Sequence, residues 1–363
     1  MLIADIETPA LVIDLEKLEL NLKRAAEYVR RHGLRLRPHT KTHKIVALAR
    51  RQLAFGADGL TVAKVGEAEV MLRAAPLEIL VAYPVIGQGK LDRLMRVARK
   101  TRVTVALDTF EAARQLSEFA HQAGMRIGVL AEADVGFGRM GTKPQYVRPL
   151  AEEILRLPGV TFEGIAFFPG HILEIGEESR QALNRLSALI GEILADLGRA
   201  GIEARIVSGG STPTLYYSHL VRGLNEIRPG TYLFNDRNTL NCKACRLDEC
   251  AVSVLTTVVS TSGEDHIIVD GGSKAFSSDL PVGLPEVSYG LVLGEPDTLF
   301  YKVNEEHGYL AVRDGGRKFT VGEKLQIIPN HVCPAVNLYD MVYGVHSGRV
   351  EEVWKVDARG KLQ

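Results

Sequence analysis

A chain of 363 residues is longer than one core ordinarily supports, so two domains are expected. Its 44 basic and 44 acidic residues cancel, which excludes the broad electrostatic affinity of a nucleic-acid binder or an anionic-membrane binder. The opening MLIADIETPALVIDLEKL is acidic where a signal peptide is basic, no apolar run reaches about 18 residues, and four cysteines are too few for a disulfide framework; a cytoplasmic protein with reduced thiols is expected.

Short apolar, β-branched runs alternate with amphipathic stretches through the first two thirds of the chain. The strand-like runs fall near residues 10–14, 35–40, 59–63, 79–83, 103–108, 126–134, 162–168, 205–210 and 227–234. Helical spacing covers residues 15–31, with Leu18, Leu22, Ala25, Ala26 and Val29 on one face and Asp14 placed as N-cap. Residues 64–75, 89–100, 109–123, 144–157 and 177–199 read as helices too. Repeated strand–helix units predict parallel strands with helical crossovers, and eight of them a closed (β/α)8 barrel. Nine candidate strands are one too many, which leaves an open doubly wound sheet as the alternative.

Beyond residue 236 the helical periodicity fades. AVSVLTTVVSTS, DHIIVDGG, YLAVRDG, EKLQIIP and VEEVWKVDARG read as strands bounded by Gly, Asp and Pro. The expected division is an α/β barrel domain over 1–236 and a mostly β domain over 237–363.

Three segments carry chemistry. In RLRPHTKTHK (35–44), Lys41 follows a predicted strand among five other cationic or imidazole side chains. Positive neighbours weaken a lysine's hold on its proton, and a neutral amine attacks an aldehyde; the other reading is a solvated basic turn. In VSGGSTPT (207–214), Gly209 and Gly210 let the backbone approach an anion, Ser211 and Thr212 supply donors, and Pro213 opens a helical turn. A phosphate cup or a plain strand-to-helix turn both fit. In PNHVCP (329–334), His331 and Cys333 would share a face of an extended segment, an imidazole and a thiolate suited to zinc. A buried cysteine beside a hydrogen-bonded histidine is the alternative.

Two further motifs are weaker. GFGRMG (136–141) formally matches a dinucleotide loop, yet it lies mid-chain and Thr142–Lys143–Pro144 delays any helix. Cys242, Cys245 and Cys250 form C-x2-C-x4-C, either a structural metal site short of a fourth ligand or a loop with incidental thiols.

Together TPALVIDLEKLELNL, RPHTKTHK, ADVGFGRMG, SGGSTPT, RPGTYLFND, VDGGSKAFSSD, EEHG and PNHVCPAVNL resemble the fold-type III pyridoxal phosphate (PLP) enzymes, the alanine racemase-like architecture, and within it the D-threonine aldolase and D-serine dehydratase branch. The resemblance implies a PLP-binding (β/α)8 TIM barrel followed by a β domain, with the first strand (9–13) joining the β domain. It implies that Lys41 carries PLP as a Schiff base, that Ser208, Gly209, Gly210, Ser211 and Thr212 hold the phosphate, and that Arg139 and Tyr232 border the cofactor. His331 and Cys333 match the branch's pair for a divalent metal, zinc foremost and manganese second, a pair that simple racemases lack. His171, in FFPGHI (167–172), keeps the Gly-His pair and is placed as acid or base, although its flank departs from many relatives. The implied reaction is retro-aldol cleavage of a D-configured β-hydroxy amino acid to glycine and an aldehyde. The alternative on the same residues is elimination to a keto acid and ammonia, as by a D-serine or D-threo-3-hydroxyaspartate dehydratase. A homodimer with the active site near the interface is also implied.

Overall fold

The computed structural model describes residues 1–173, 176–312 and 316–363. The chain divides into a barrel unit (Arg24–Lys41, Val46–Gly230 and Gly360–Gln363) and a β unit (Met1–Lys23, Thr42–Ile45 and Thr231–Arg359).

In chain order the elements are β1 (Ala10–Asp14), α1 (Leu15–His32), β2 (Arg35–Leu36), α2 (Val46–Ala54), β3 (Leu60–Val62), α3 (Val65–Met71), β4 (Glu78–Val81), α4 (Gln88–Ala98), β5 (Arg102–Leu107), α5 (Phe110–Gln122), β6 (Ile127–Ala133), α6 (Val147–Leu155), β7 (Val160–Phe167), α7 (Glu177–Arg199), β8 (Ile206–Gly209) and β9 (Glu226–Ile227). Asp14 caps α1 by accepting from the Lys17 N–H at 3.1 Å. The eight strands β2 to β9 are all parallel, ordered β2-β9-β8-β7-β6-β5-β4-β3. A parallel bridge between His39 and Thr61 closes the circle, so the architecture is the closed barrel and not the open sheet. The ninth candidate, β1, pairs instead with strands of the β unit.

Two strands are shorter than their apolar runs. β2 ends before Pro38 and β9 before Pro229, because proline has no N–H to give the ladder. The chain expected as strand to residue 234 becomes a 3-10 turn at Thr231–Leu233. Helix α2 was not among the expected helices; nine residues, buried at Val46, Leu48, Ala49 and Gln52, are too few to show a clear period.

The barrel interior is layered. Leu80, Ala106, Leu130, Ala166 and Ile206 form an apolar layer. Below it, toward the strand N-termini, Arg37 lies 2.9 Å from both Glu78 and Glu226, Arg35 pairs with Glu78, and Arg102 meets Glu163 at 2.6 Å. Opposite charges are thus paired, as burial requires, while Arg37 Nε and Nη1 have no hydrogen-bond partner among the described residues.

The β unit contains β10 (Val252–Ser260), β11 (His266–Val269), β12 (Gly290–Val292), β13 (Thr298–Val303), β14 (Gly308–Val312), β15 (Lys324–Pro329), β16 (Met341–His346) and β17 (Arg349–Lys355). The sheet order is β11-β14-β13-β12-β15-β10-β1-β16-β17, and a β10–β11 pairing closes the first six into a ring. Every pairing is antiparallel except β1–β16. The last three residues of the expected YLAVRDG strand lie outside the described residues. Among the described residues no helix is long and apolar enough to cross a membrane.

Candidate active site

Active-site groups of a barrel gather where its strands end at their C-termini, and the barrel unit gathers them there. Lys41 is exposed, in the 3-10 turn Thr40–Thr42 that follows β2. The backbone before it is pinned at several points. The Thr61 N–H donates to Pro38 O at 2.9 Å, the Thr61 hydroxyl to Arg37 O at 2.7 Å, and the Thr40 hydroxyl to Thr61 O at 3.1 Å. The lysine thus projects from a fixed base, a precondition for a nucleophile.

The glycine-rich turn follows β8. A Cβ on Gly209 would fall 2.3 Å from the Phe167 ring, so only glycine lets strand and ring pack. Gly210 has φ +85°, the left-handed region, and turns the chain off the strand. Ser211 N–H donates to the Thr214 hydroxyl at 3.0 Å and Thr214 N–H to Ser211 Oγ at 3.3 Å. A 3-10 helix, Leu215–Leu220, begins two residues after Pro213. The Ser208 hydroxyl turns into the barrel and donates to Glu226 at 2.6 Å. A turn with a left-handed glycine and serine and threonine hydroxyls straight after a barrel strand fits the phosphate of PLP.

A residue that the sequence reading left unassigned stands beside this turn. Arg228, buried at the end of β9, gives its N–H to Gly209 O at 3.2 Å and its Nη2 to Phe167 O at 3.1 Å. Its buried Nη1 has no hydrogen-bond partner among the described residues. Burial pushes the guanidinium down, opposed by Glu132 and Glu226, while burial pushes the Glu132 carboxyl up, opposed by Arg228 and Arg139. The cue for this arginine of RPGTY is a cation directly following an apolar strand.

GFGRMG is a capped loop. Asp134 accepts from the N–H groups of Gly136 at 2.9 Å and Gly138 at 3.1 Å, and Asp108 accepts from Gly141 at 2.9 Å. The donors a dinucleotide would need are taken by carboxylates, and no helix starts at the last glycine. Arg139 is exposed, its guanidinium 4.7 Å above the Phe168 ring. His171 is exposed beside the same loop, where a Cβ on Gly136 would lie 3.6 Å from its ring.

In the β unit, Tyr232 is buried in the turn Thr231–Leu233. His331 and Cys333 do not share an extended segment. His331 is the N-cap and Cys333 the second residue of a short helix, Val332–Val336, since β15 ends at Pro329. They remain two positions apart at the start of one helix, and the Cys333 thiol is among the groups that raise the His331 imidazole. Asp279 Oδ2 meets His331 Nδ1 at 2.8 Å, fixing the ring and leaving Nε2 as the other donor atom. The Cys333 thiol lies 3.3 Å from the Thr42 hydroxyl, on the residue after Lys41, and 4.0 Å from Thr231 Oγ1. Asp236, buried, accepts from Val332 N–H at 3.0 Å and Thr239 N–H at 2.8 Å, so it anchors the start of the His–Cys helix. Against burial, which alone would lower it, Cys333, Asp236 and Asp279 hold the His331 imidazole up at about 9. An imidazole oriented by a carboxylate beside a thiol fits a divalent metal of borderline softness. Among the described residues no group of three or more His, Cys, Asp or Glu side chains is arranged around one ion, so water or substrate would complete the coordination.

A parallel barrel with a lysine after its first strand and a glycine cradle after its seventh, joined to a closed β sheet, defines the alanine racemase-like class. The family model for the alanine racemase N-terminal domain matches residues 13–238, and the model "Putative serine dehydratase domain" matches residues 251–345. The chain is 34% identical to a D-threonine aldolase of Arthrobacter sp, covering 99% of this chain and 94% of the relative. It is likewise 34% identical to a 3-hydroxy-D-aspartate aldolase of Paracoccus denitrificans, covering 99% and 93%. The crystal structure of D-threonine aldolase from Filomicrobium marinum superposes with a TM-score of 0.91 at 32% identity, covering 99% and 98%. A D-threo-3-hydroxyaspartate dehydratase, in a metal-free form with a cysteine changed to alanine, superposes at 0.90 with 30% identity, covering 98% of each chain. The chain belongs to the D-threonine aldolase and D-serine dehydratase family of alanine racemase-like, PLP-dependent lyases.

Proposed function

We propose that this lyase cleaves D-configured β-hydroxy amino acids between Cα and Cβ, releasing glycine and an aldehyde, with Lys41 holding PLP and His331 with Cys333 holding a divalent metal. The observation that carries the reading is the His331–Cys333 pair, its ring fixed by Asp279, in a chain aligned nearly end to end with a D-threonine aldolase.

When bound, PLP supplies a conjugated ring that takes up the electron pair left at Cα. A divalent metal, zinc first and manganese second, supplies a Lewis acid toward the β-hydroxyl oxygen. The chain's residues do the rest. Gly209, Gly210, Ser211 and Thr212 would hold the phosphate, and Ser208 braces the strand beneath by bonding Glu226. Arg228, buried with an unpartnered Nη1, would be available to the cofactor's ring nitrogen and, being a cation, would disfavour its protonation. Arg139 and Tyr232 would border the cofactor. His171 takes the β-hydroxyl proton at an imidazole nitrogen, and the amine of Lys41 returns a proton to Cα. Asp279 keeps the His331 ring turned so that one nitrogen stays free for the metal.

We place the enzyme in the cytoplasm as a homodimer with the active site near the interface; its free thiols and the resemblance to its branch support these. Incubation with D-threonine, D-3-hydroxyaspartate and D-serine tests the reaction. D-threonine should give glycine and acetaldehyde, cease on chelation, and resume with zinc or manganese. A keto acid and ammonia without glycine, or turnover indifferent to chelation, would overturn the reading.

A further inference from the structure

The phosphate turn runs straight into the 3-10 helix Leu215–Leu220, and Ser218 on that helix ties back to it. The Ser218 hydroxyl donates to Thr214 O at 3.0 Å and lies 3.3 Å from where a Cβ on Gly210 would stand. Thr214 in turn bonds Ser211 through both backbone and hydroxyl. A shift of this helix therefore shifts the turn.

One hydroxyl of α1 holds the helix from outside. Tyr28, buried, accepts the His219 N–H at 3.0 Å, and its oxygen lies 2.8 Å from His219 Nδ1. Burial pushes the Tyr28 phenol up, so the hydroxyl keeps its proton. With the oxygen accepting from the backbone, that proton is given to Nδ1, which must then carry none of its own. Around His219 stand the His32 ring of α1, stacked at 4.0 Å, and the Tyr28 ring at 5.8 Å. On its own helix Tyr216 carries the Arg24 guanidinium 4.4 Å above its ring. α7 meets the chain just beyond, where Ser187 accepts the Arg222 N–H at 2.9 Å. No carboxylate among the described residues offsets a charge on the His219 ring.

We propose that Tyr28 is a positioning residue for the cofactor's phosphate: through His219 it clamps the helix behind the phosphate turn, and protonation of His219 releases the clamp. A proton on Nδ1 leaves two donors facing each other and sets a charge against the His32 ring. The clamp is whole above the ordinary imidazole value of about 6.5 and is lost as pH falls through the lower folded value. The proposal rests on the reading that residues 209–212 hold a phosphate.

The test titrates the full chain, freed of cofactor, with pyridoxamine 5′-phosphate. This probe carries the same phosphate and, lacking the aldehyde, forms no bond to Lys41. Affinities of the parent, Tyr28→Phe and His219→Gln are compared at pH 8 and pH 5, so that the probe's own titration cancels in each ratio. At pH 8 Tyr28→Phe should bind about 2- to 10-fold more weakly than the parent, the loss of a hydrogen bond. At pH 5 that ratio should fall towards one, because the parent has released the clamp as well. His219→Gln keeps an acceptor for the hydroxyl and does not titrate, so it should match the parent at pH 8 and bind more tightly than the parent at pH 5. A Tyr28→Phe affinity equal to the parent's at pH 8, or a ratio that is the same at both pH values, overturns the proposal. Should Tyr28→Phe fail to fold, His219→Gln decides alone: tighter binding than the parent at pH 5 supports the clamp, and equal binding overturns it. A parent that binds no pyridoxamine 5′-phosphate at either pH overturns the phosphate reading itself, and this proposal with it.

Discussion

The two units build their candidate groups by different means. In the barrel, backbone and steric packing do the placing: Lys41 rides on a turn pinned to Thr61, and Gly209 is set by the Phe167 ring. In the β unit, side-chain hydrogen bonds do it: Asp279 turns His331, and Asp236 holds the helix that carries Cys333. The barrel groups should therefore fail together with the fold, whereas the β-unit groups should fail while the fold stands.

Three substitutions sharpen that contrast. Asp279→Ala removes the partner of a half-buried, side-chain-held ring. Metal affinity should fall about 10- to 100-fold with thermal stability unchanged, as read by metal titration and a melting curve; a loss of folding with metal affinity intact would erase the distinction. Gly209→Ala forces a Cβ to 2.3 Å from Phe167 and should cost about 1–3 kcal/mol by overpacking, as read by denaturant unfolding, with PLP affinity falling in parallel. A variant of undiminished stability would show that the cradle is looser than its packing implies.

The smallest effect concerns the surface of the barrel unit, where His219 stacks on His32 at 4.0 Å and bonds the Tyr28 hydroxyl at 2.8 Å. Burial, and then the His32 charge, hold the His219 imidazole below its ordinary value. A depressed histidine stabilises the fold above its unfolded pKa of about 6.5, and that contribution is lost as pH falls through the folded value. The melting temperature should drop slightly more between pH 7 and 5 in the parent than in His219→Gln; equal drops would contradict it.

Much of this was legible beforehand. The alternating runs showed the barrel because parallel strands buried on both faces are continuous in apolar residues. RPHTKTHK, SGGSTPT and PNHVCP stood out because each puts chemically active residues straight after a strand. What stayed hidden depends on partners remote in sequence. Arg228 becomes notable only once Glu132 and Phe167 surround it, and Asp279 only once it lies 52 positions away from His331 at 2.8 Å. The His331–Cys333 helix was misread as extended because Pro329 and Pro334 masked its start.

The account rests most directly on the bond between Lys41 and the cofactor. The visible absorption spectrum of the purified chain with added PLP, compared with that of Lys41→Ala, tests it. A band from lysine-bound PLP in the parent, absent from the variant together with all turnover of D-threonine, is the predicted result. A colourless parent, or a variant that keeps the band and the activity, would contradict it.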